Sequence, residues 1–314
     1  MAQIGRMINT GSDTIDATTP QALAGLLAGI TPARPVLIAG PTAAGKSALA
    51  LRIAQETGRA VVNADALQVW SCWRVLTARP SVRDEAAAPH LLYGHVEPGR
   101  SYSVGDWLAE VAALLDSGRG LVIAGGTGLY LSALTRGLAV IPPVPAEIRA
   151  QGDAWLARDG GLTSMIAALD PRTRAGLDLR NPARVQRAWE VLTATGRGLA
   201  DWQADTPPPL VAPEQAQRFV LQMDRDLLAD RIARRFDAML DEGALDEVRA
   251  MLPRWDPRTQ WARAIGAAEL AEHLSGRLTL AEARERAVIA TRQYAKSQRI
   301  WFRNRMRDWT PVAV

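Results

Sequence analysis

Short apolar runs separated by helical patterns set the order of elements in this chain. Val36-Leu37-Ile38-Ala39 is apolar without interruption, the pattern of a strand covered on both faces. Ser47–Glu56 has helical periodicity and is closed by Gly58. Ala60-Val61-Val62-Asn63-Ala64-Asp65 is a second apolar run, ending in an acid. Together these predict a strand–helix–strand unit with a right-handed crossover. Residues 71–102, broken by Pro80, Pro89 and Pro98, read as irregular. Ser103 then caps a helix running through Leu115, with Asp106 placed for a capping box and Gly118 as its stop. Leu121-Val122-Ile123-Ala124 reads as a third buried strand, followed by Gly125-Gly126-Thr127-Gly128 and another helix start. The alternation predicts an α/β fold, a parallel sheet with helices on both faces.

The pattern changes at Ile141-Pro142-Pro143-Val144-Pro145. Residues 146 to 205 show helical periodicity and no strand, and Pro207-Pro208-Pro209 forms a stiff joint. Arg218–Met223 reads as a strand returning to the sheet, and Leu227–Arg307 as helical. The expected organisation is an N-terminal extension (1–33) with one short helix, a core (34–140 and 212–314) and a helical insertion domain (141–211). The two proline-rich joints would let the insertion swing.

Composition narrows the setting. Hydrophobic residues are 48% and charged residues 22% of the chain, ordinary for a soluble globular protein. The net charge is +4, a modest bias towards a polyanionic partner such as nucleic acid. Cys72 is the single cysteine, so no internal disulfide forms and no zinc spacing exists. No stretch reaches the roughly 20 apolar residues of a membrane span, and the N-terminus lacks a secretory pattern. A cytoplasmic monomer is expected. Arg292, Lys296, Arg299 and Arg303 would lie along one helix face beside Trp301 and Phe302. That is a solvated face or a nucleic-acid backbone contact.

The chemistry centres on Gly40-Pro41-Thr42-Ala43-Ala44-Gly45-Lys46-Ser47, which fits the phosphate-loop pattern between a strand and a helix. Lys46 and Lys296 are the only lysines among 37 basic residues. Keeping lysine in this loop suggests a site that needs a compact ammonium. Backbone N–H groups would wrap phosphate oxygens at the helix N-terminus. Lys46 would bridge two phosphates, and the Ser47 hydroxyl would hold Mg²⁺. Asp65 should project near the same cleft, to hold a magnesium-bound water, to bind a ribose hydroxyl, or to act as general base. Spacing does not separate these roles. Gln68 is a candidate for reading a base edge and Thr127 for donating to a phosphate or base; Arg263 could neutralise a leaving phosphate. The third strand ends in glycines, where an ATPase motor would carry an acid. His90, His95 and His273 make no triad or metal spacing.

In combination these motifs resemble the tRNA dimethylallyltransferases, or tRNA isopentenyltransferases. The matching pieces are Gly40–Ser47, Asn63–Trp70, Thr77–Pro80, Ala124–Leu131, Arg184–Glu190, Arg263–Gly266 and Thr291–Lys296. They run in the family's order over nearly the whole chain. The resemblance implies transfer of a dimethylallyl group from its pyrophosphate to the exocyclic N6 amine of the adenosine 3′-adjacent to the tRNA anticodon, with Mg²⁺. It implies that the loop from Gly40 to Ser47 (Pro41, Thr42, Ala43, Ala44, Gly45 and Lys46 between them) grips the donor, with Arg263 on the leaving pyrophosphate. Asp65 would take the amine proton. Asp65, Ala66, Leu67, Gln68, Thr127, Arg149, Gln186, Arg187, Ala188, Trp189 and Glu190 would meet the anticodon stem-loop. Flipping a base out of a loop is cheap, because it is already unpaired. The chain departs from the family at Ala66, where serine is usual, at Trp70 and Ala267, where tyrosine is usual, and at Ser297, often arginine. The bacterial type is expected, since the single cysteine leaves out the zinc-finger extension of some eukaryotic relatives. The competing readings are a small-molecule P-loop kinase, which would consume ATP, and an RNA-binding module without transfer.

Overall fold

A computed structural model describes residues 14–314. Seven strands form one parallel sheet among the described residues. They are β1 (Ile15–Asp16), β2 (Val36–Ala39), β3 (Ala60–Asn63), β4 (His90–Leu91), β5 (Leu121–Gly125), β6 (Gln217–Gln222) and β7 (Thr310–Ala313), in the order β1-β7-β6-β2-β5-β3-β4. The register pairs Ala39 with Gly125 and with Val220, and Asn63 with Ala124. The carboxyl ends of β2, β3, β5 and β6 therefore finish at one edge, where α/β sheets place their ligands. Every residue of β2, β3 and β5 is buried, which explains their uninterrupted apolar runs.

Around the sheet run α1 (Pro20–Ala28), α2 (Lys46–Thr57), α3 (Val82–Ala87), α4 (Val104–Asp116), α5 (Gly128–Arg136) and, after β6, α11 (Arg225–Asp241), α12 (Ala244–Met251), α13 (Ala267–Leu274) and α14 (Leu280–Arg305). Val36, Ile38, Val61, Val122 and Leu221 pack with Leu49, Ala50 and Ile53 of α2. The alternate strand residues Leu37, Val62 and Ile123 are as fully buried towards the other face. Trp107 of α4 is buried and donates its indole N–H to the Asn63 carbonyl at 2.7 Å, tying that helix to the end of β3. The capping boxes of α4 (Ser103, Asp106) and α14 (Thr279, Glu282) are both formed.

The chain forms two compact units, one holding the sheet and the other spanning Ala133–Leu210. The second unit is helical: α6 (Ala146–Leu156), α7 (Gly161–Ala167), α8 (Pro171–Gly176), α9 (Pro182–Thr195) and α10 (Leu199–Ala204). Its core gathers Met165, Leu169, Val185, Ala188 and Trp189. Trp155 meets Trp189 edge to face at 5.2 Å between centroids. No helix among the described residues is long and apolar enough to cross a membrane.

The structure differs from the sequence expectation at three places. Residues 14–33 are part of the core, since β1 pairs with β7, α1 is capped by Thr19, and Leu26 and Ile30 join the sheet's apolar cluster. The first thirteen residues of the expected extension lie outside the described residues. The stretch 71–102 contains α3, with its own Ser81–Asp84 capping box, and β4. The chain ends in a strand, β7, which the proline at 311 disguised.

Within the remaining irregular part of 71–102, one distant carboxylate holds three successive amides. Glu247 of α12 accepts the N–H groups of Arg74 and Val75 at 2.8 Å each and of Leu76 at 2.9 Å. Glu247→Ala strands three amides at once, and a loss of about 2–3 kcal/mol is expected for such charge-assisted bonds. Denaturant titration of the purified variant measures it.

Candidate active site

The phosphate loop turns sharply between β2 and α2. Gly45 caps α2 in the left-handed region at φ 92°, and Ala43 also has positive φ, at 65°. A left-handed alanine is a strained residue, of the kind that collects where a loop must face a ligand. A side chain on Gly40 would bring its Cβ within 2.9 Å of the Leu221 Cβ, so this glycine allows β2 and β6 to approach. No side chain caps α2, which leaves its first-turn N–H groups free of side-chain acceptors. Ser47 is exposed on that turn.

Lys46 is half-buried and its Nζ donates to the Pro41 carbonyl at 2.8 Å. Burial pushes its pKa down to about 8; the Asp65 carboxylate pulls it back up and the Arg235 guanidinium pushes it further down. Arg235 of α11 donates from Nη2 to the Thr42 hydroxyl at 2.8 Å. Burial lowers its pKa as well, against the opposing field of Asp65.

Asp65 lies two residues past the end of β3, and Asn63 fixes its backbone. The Asn63 Oδ1 accepts the Asp65 N–H at 2.8 Å, and Nδ2 donates to the carbonyls of Asp65 and Leu92 at 3.0 Å each. The Asp65 Oδ1 accepts the Leu67 N–H at 3.0 Å, and its carboxylate lines a cavity of about 60 Å³. Thr42 and Arg235 form part of the same wall; Leu67, Ile232, Phe236 and Met239 supply apolar surface. Tyr294 also lines it, and its phenol is raised by burial first and by Asp65 next. The phenols of Tyr93 and Tyr130 are raised for the same two reasons. All three stay protonated at neutral pH and can only donate or accept as neutral groups.

The glycine run after β5 is explained by crowding. A Cβ would lie 2.0 Å from the Ala64 carbonyl oxygen at Gly125 and 2.3 Å from the Trp301 ring at Gly128. Thr127 accepts the Ala66 N–H on Oγ1 at 2.9 Å and donates its own N–H to the Ala64 carbonyl at 3.2 Å. Thr127 thus frames both sides of Asp65. Cys72 is no competing nucleophile, since burial pushes its thiol up to about 12.

The sequence-derived residues therefore separate into groups. Thr42, Lys46, Asp65, Ala66, Leu67 and Thr127 come together with the phosphate loop. Gln68 lies beside them, with its amide nitrogen committed to the carbonyls of Thr77 and Ala78 at 2.7 and 2.9 Å, so that it braces the loop. Arg263 is exposed on the short 3₁₀ turn Trp261–Arg263 and does not line the cavity that Asp65 lines. A guanidinium that does hydrogen-bond the phosphate loop is that of Arg235 of α11, on the Thr42 hydroxyl. In the second unit Ala188, Trp189 and Glu190 are buried, and Ala188 and Trp189 belong to that unit's apolar core. Gln186 bonds Asp153 and Glu190 at 2.7 and 3.0 Å, Arg187 lies 3.8 Å from Glu190, and Arg149 is exposed.

Arg235 and Tyr294 were missed. Arg235 carried one signal. Leu228, Ile232, Phe236 and Met239 form the buried stripe of α11, and Arg235 stands seven residues after Leu228, on that stripe. A cation on a buried stripe needs a partner or a ligand.

A parallel α/β core whose phosphate loop faces a carboxylate across a partly apolar cavity belongs to the class of P-loop-type enzymes that bind a phosphorylated substrate. The IPP transferase family model matches residues 68–305, and the chain belongs to that family. It is 68% identical over 294 residues to the tRNA dimethylallyltransferase of Paracoccus denitrificans, covering 92% of this chain and 97% of that one. It is 64% identical to the tRNA dimethylallyltransferase of Dinoroseobacter shibae, over 89% and 94%. The crystal structure of a tRNA isopentenylpyrophosphate transferase from Bacillus halodurans superposes with a TM-score of 0.62 at 30% identity, covering 90% of this chain and 89% of that one. A eukaryotic dimethylallyltransferase acting on tRNA shares the fold, with a TM-score of 0.74 at 22% identity over 89% and 73%.

The Lys46 shift sets a pH dependence. An anionic donor favours charged Lys46, so affinity is greatest below pH 8 and falls as pH rises through about 8. Calorimetry of donor binding near that pH should show proton uptake, and the Lys46→Met protein should show none.

Proposed function

We propose that this protein transfers a dimethylallyl group from dimethylallyl pyrophosphate to the N6 amine of the adenosine 3′-adjacent to the anticodon, releasing pyrophosphate. One observation carries the reading: Asp65 shares a cavity with Thr42 and Arg235 and acts electrostatically on Lys46. A carboxylate so placed is poised against a departing anion, with an apolar wall for a hydrocarbon tail.

The α2 N-terminus, Lys46 and Arg235 hold the pyrophosphate and take up charge as the carbon–oxygen bond breaks. The adenosine nitrogen bonds to the prenyl carbon and gives its proton to Asp65. Leu67, Ile232 and Phe236 cover the prenyl group and keep water from it. The exposed Ser47 hydroxyl suits Mg²⁺, which takes few protein ligands and otherwise binds phosphate oxygens and water. When bound, the ion would add charge neutralisation at the leaving pyrophosphate. The β5 strand ends in glycine where an ATPase motor carries an acid, in keeping with a phosphate loop used on a prenyl donor.

For the tRNA backbone, the basic face of α14 is the favoured surface of the first unit. Arg292, Lys296, Arg299 and Arg303 line a groove of about 1220 Å³, joined by Arg225 and Arg307. Arg149 and Arg187 are the candidates retained from the second unit.

Incubation of the protein with Mg²⁺, unmodified tRNA and the prenyl donor should yield prenylated adenosine by nucleoside mass spectrometry. Without tRNA no pyrophosphate should be released; ATP consumption in its place would refute the reading. Asp65→Ala should slow transfer by about 10²-fold or more, as for loss of a general base, with donor affinity changed far less. The Arg299→Glu/Arg303→Glu protein should bind tRNA more weakly, and its salt slope should fall by roughly two if both arginines meet phosphates. Filter binding across a salt series measures this.

A further inference from the structure

One buried carboxamide joins the two loops of the site. Gln298 of α14 is 5% exposed. Its Oε1 accepts the Thr42 N–H at 2.8 Å, and its Nε2 donates to the Gly126 carbonyl at 2.9 Å. Thr42 belongs to the phosphate loop. Gly126 leads into Thr127, whose hydrogen bonds to Ala66 and Ala64 flank Asp65. A Cβ on Gly126 would lie 2.4 Å from Gln298 Nε2 and 3.1 Å from Asp65 Oδ2. The amide and the carboxylate thus crowd the same backbone position.

The partners dictate the chemistry of this side chain. One end must accept from an N–H and the other must donate to a carbonyl, with almost no water at hand. An amide does both. An ionised glutamate would satisfy Thr42 but turn a second oxygen on the Gly126 carbonyl. A protonated glutamic acid has the same donor and acceptor pattern as glutamine. Leucine has similar bulk and offers neither.

We propose that Gln298 is a positioning residue for the transfer. It holds the phosphate loop, and with it the leaving pyrophosphate, in register with the loop that carries the proton-accepting Asp65. The inference rests on the reading of the site as a prenyl transferase. It concerns the distance between two bound substrates, so the transfer step should suffer more than the binding of either. Misplacement of a reacting group by about 1 Å costs on the order of 10²-fold in rate.

The test compares the parent with Gln298→Leu and Gln298→Glu, each checked for folding by its thermal melt. Single-turnover prenylation is measured from about pH 8 to about pH 5.5, a range in which a buried glutamic acid titrates. Donor and tRNA dissociation constants are measured in parallel. Gln298→Leu should lose roughly 10²-fold in transfer rate at every pH, while both dissociation constants stay within about threefold. Gln298→Glu should match it at the upper end and recover towards the parent as pH falls, each rate being divided by the parent's at that pH. A Gln298→Leu rate within threefold of the parent overturns the proposal, as does a loss explained wholly by weaker donor binding. If Gln298→Leu fails to fold, the Gln298→Glu profile decides alone: recovery supports the strap and a flat profile refutes it. A parent that modifies no tRNA overturns the functional reading instead.

Discussion

Two cations in the field of one carboxylate organise this site. Lys46 and Arg235 both lose hydration through burial, and both feel Asp65 as their counter-charge. One carboxylate does not balance two partly desolvated cations, and burial, the main cause, holds Lys46 down at about 8 although Asp65 pulls it up. A pyrophosphate would correct it. The left-handed Ala43 points the same way, because such strain costs of order 1–3 kcal/mol and persists where the surroundings over-determine it. The site is a cradle whose electrostatics are completed by an anion.

The sheet's register makes the confrontation possible. The pairing of Ala39 with Gly125 and of Asn63 with Ala124 brings the phosphate loop, the Asp65 loop and the glycine run to one edge. None of these loops could be fixed by secondary structure alone. They are held by distant donors and acceptors: the Trp107 indole on the Asn63 carbonyl and the Gln298 amide between Thr42 and Gly126. Placement of reacting groups is thus delegated to buried side chains on helices, the rigid arrangement that precise transfer chemistry needs.

Much of this was legible in the sequence, for reasons that also explain the failures. The central strands were readable because burial on both faces leaves no polar residue in them, and α4 because its capping box is local. Lys46 was readable because the glycine-framed loop between such a strand and a helix is a local pattern, and Asp65 because it sits just past the end of the next strand. The short outer strands β1 and β4 and the proline-bearing β7 gave no periodic signal, since they are specified by pairing with neighbours far away in the chain. Arg235 was hidden for the same reason. Among 37 basic residues, its spacing within α11 marks it only as a cation on a buried stripe; that α11 brings it to the phosphate loop is a tertiary fact.

The stretch Gln186–Glu190 shows where motif transfer stops being a guide to contact. A shared run of residues can reflect a substrate or a core, and the run alone does not say which. Burial separates the two. Ala188 and Trp189 are 1% and 8% exposed and pack with Met165 and Val185, while Glu190 is 4% exposed and takes the Gln186 amide. A side chain so enclosed cannot meet RNA without unpacking its own unit, at a cost of several kcal/mol for a residue the size of tryptophan. Its influence on substrate would have to pass through Gln186 and Arg187, whose orientation Glu190 sets from below. The same logic applies to Gln68 in the first unit: its amide braces Thr77 and Ala78, and Thr77 borders the cavity that Asp65 lines. A motif can therefore hold residues that touch substrate next to residues that only place them.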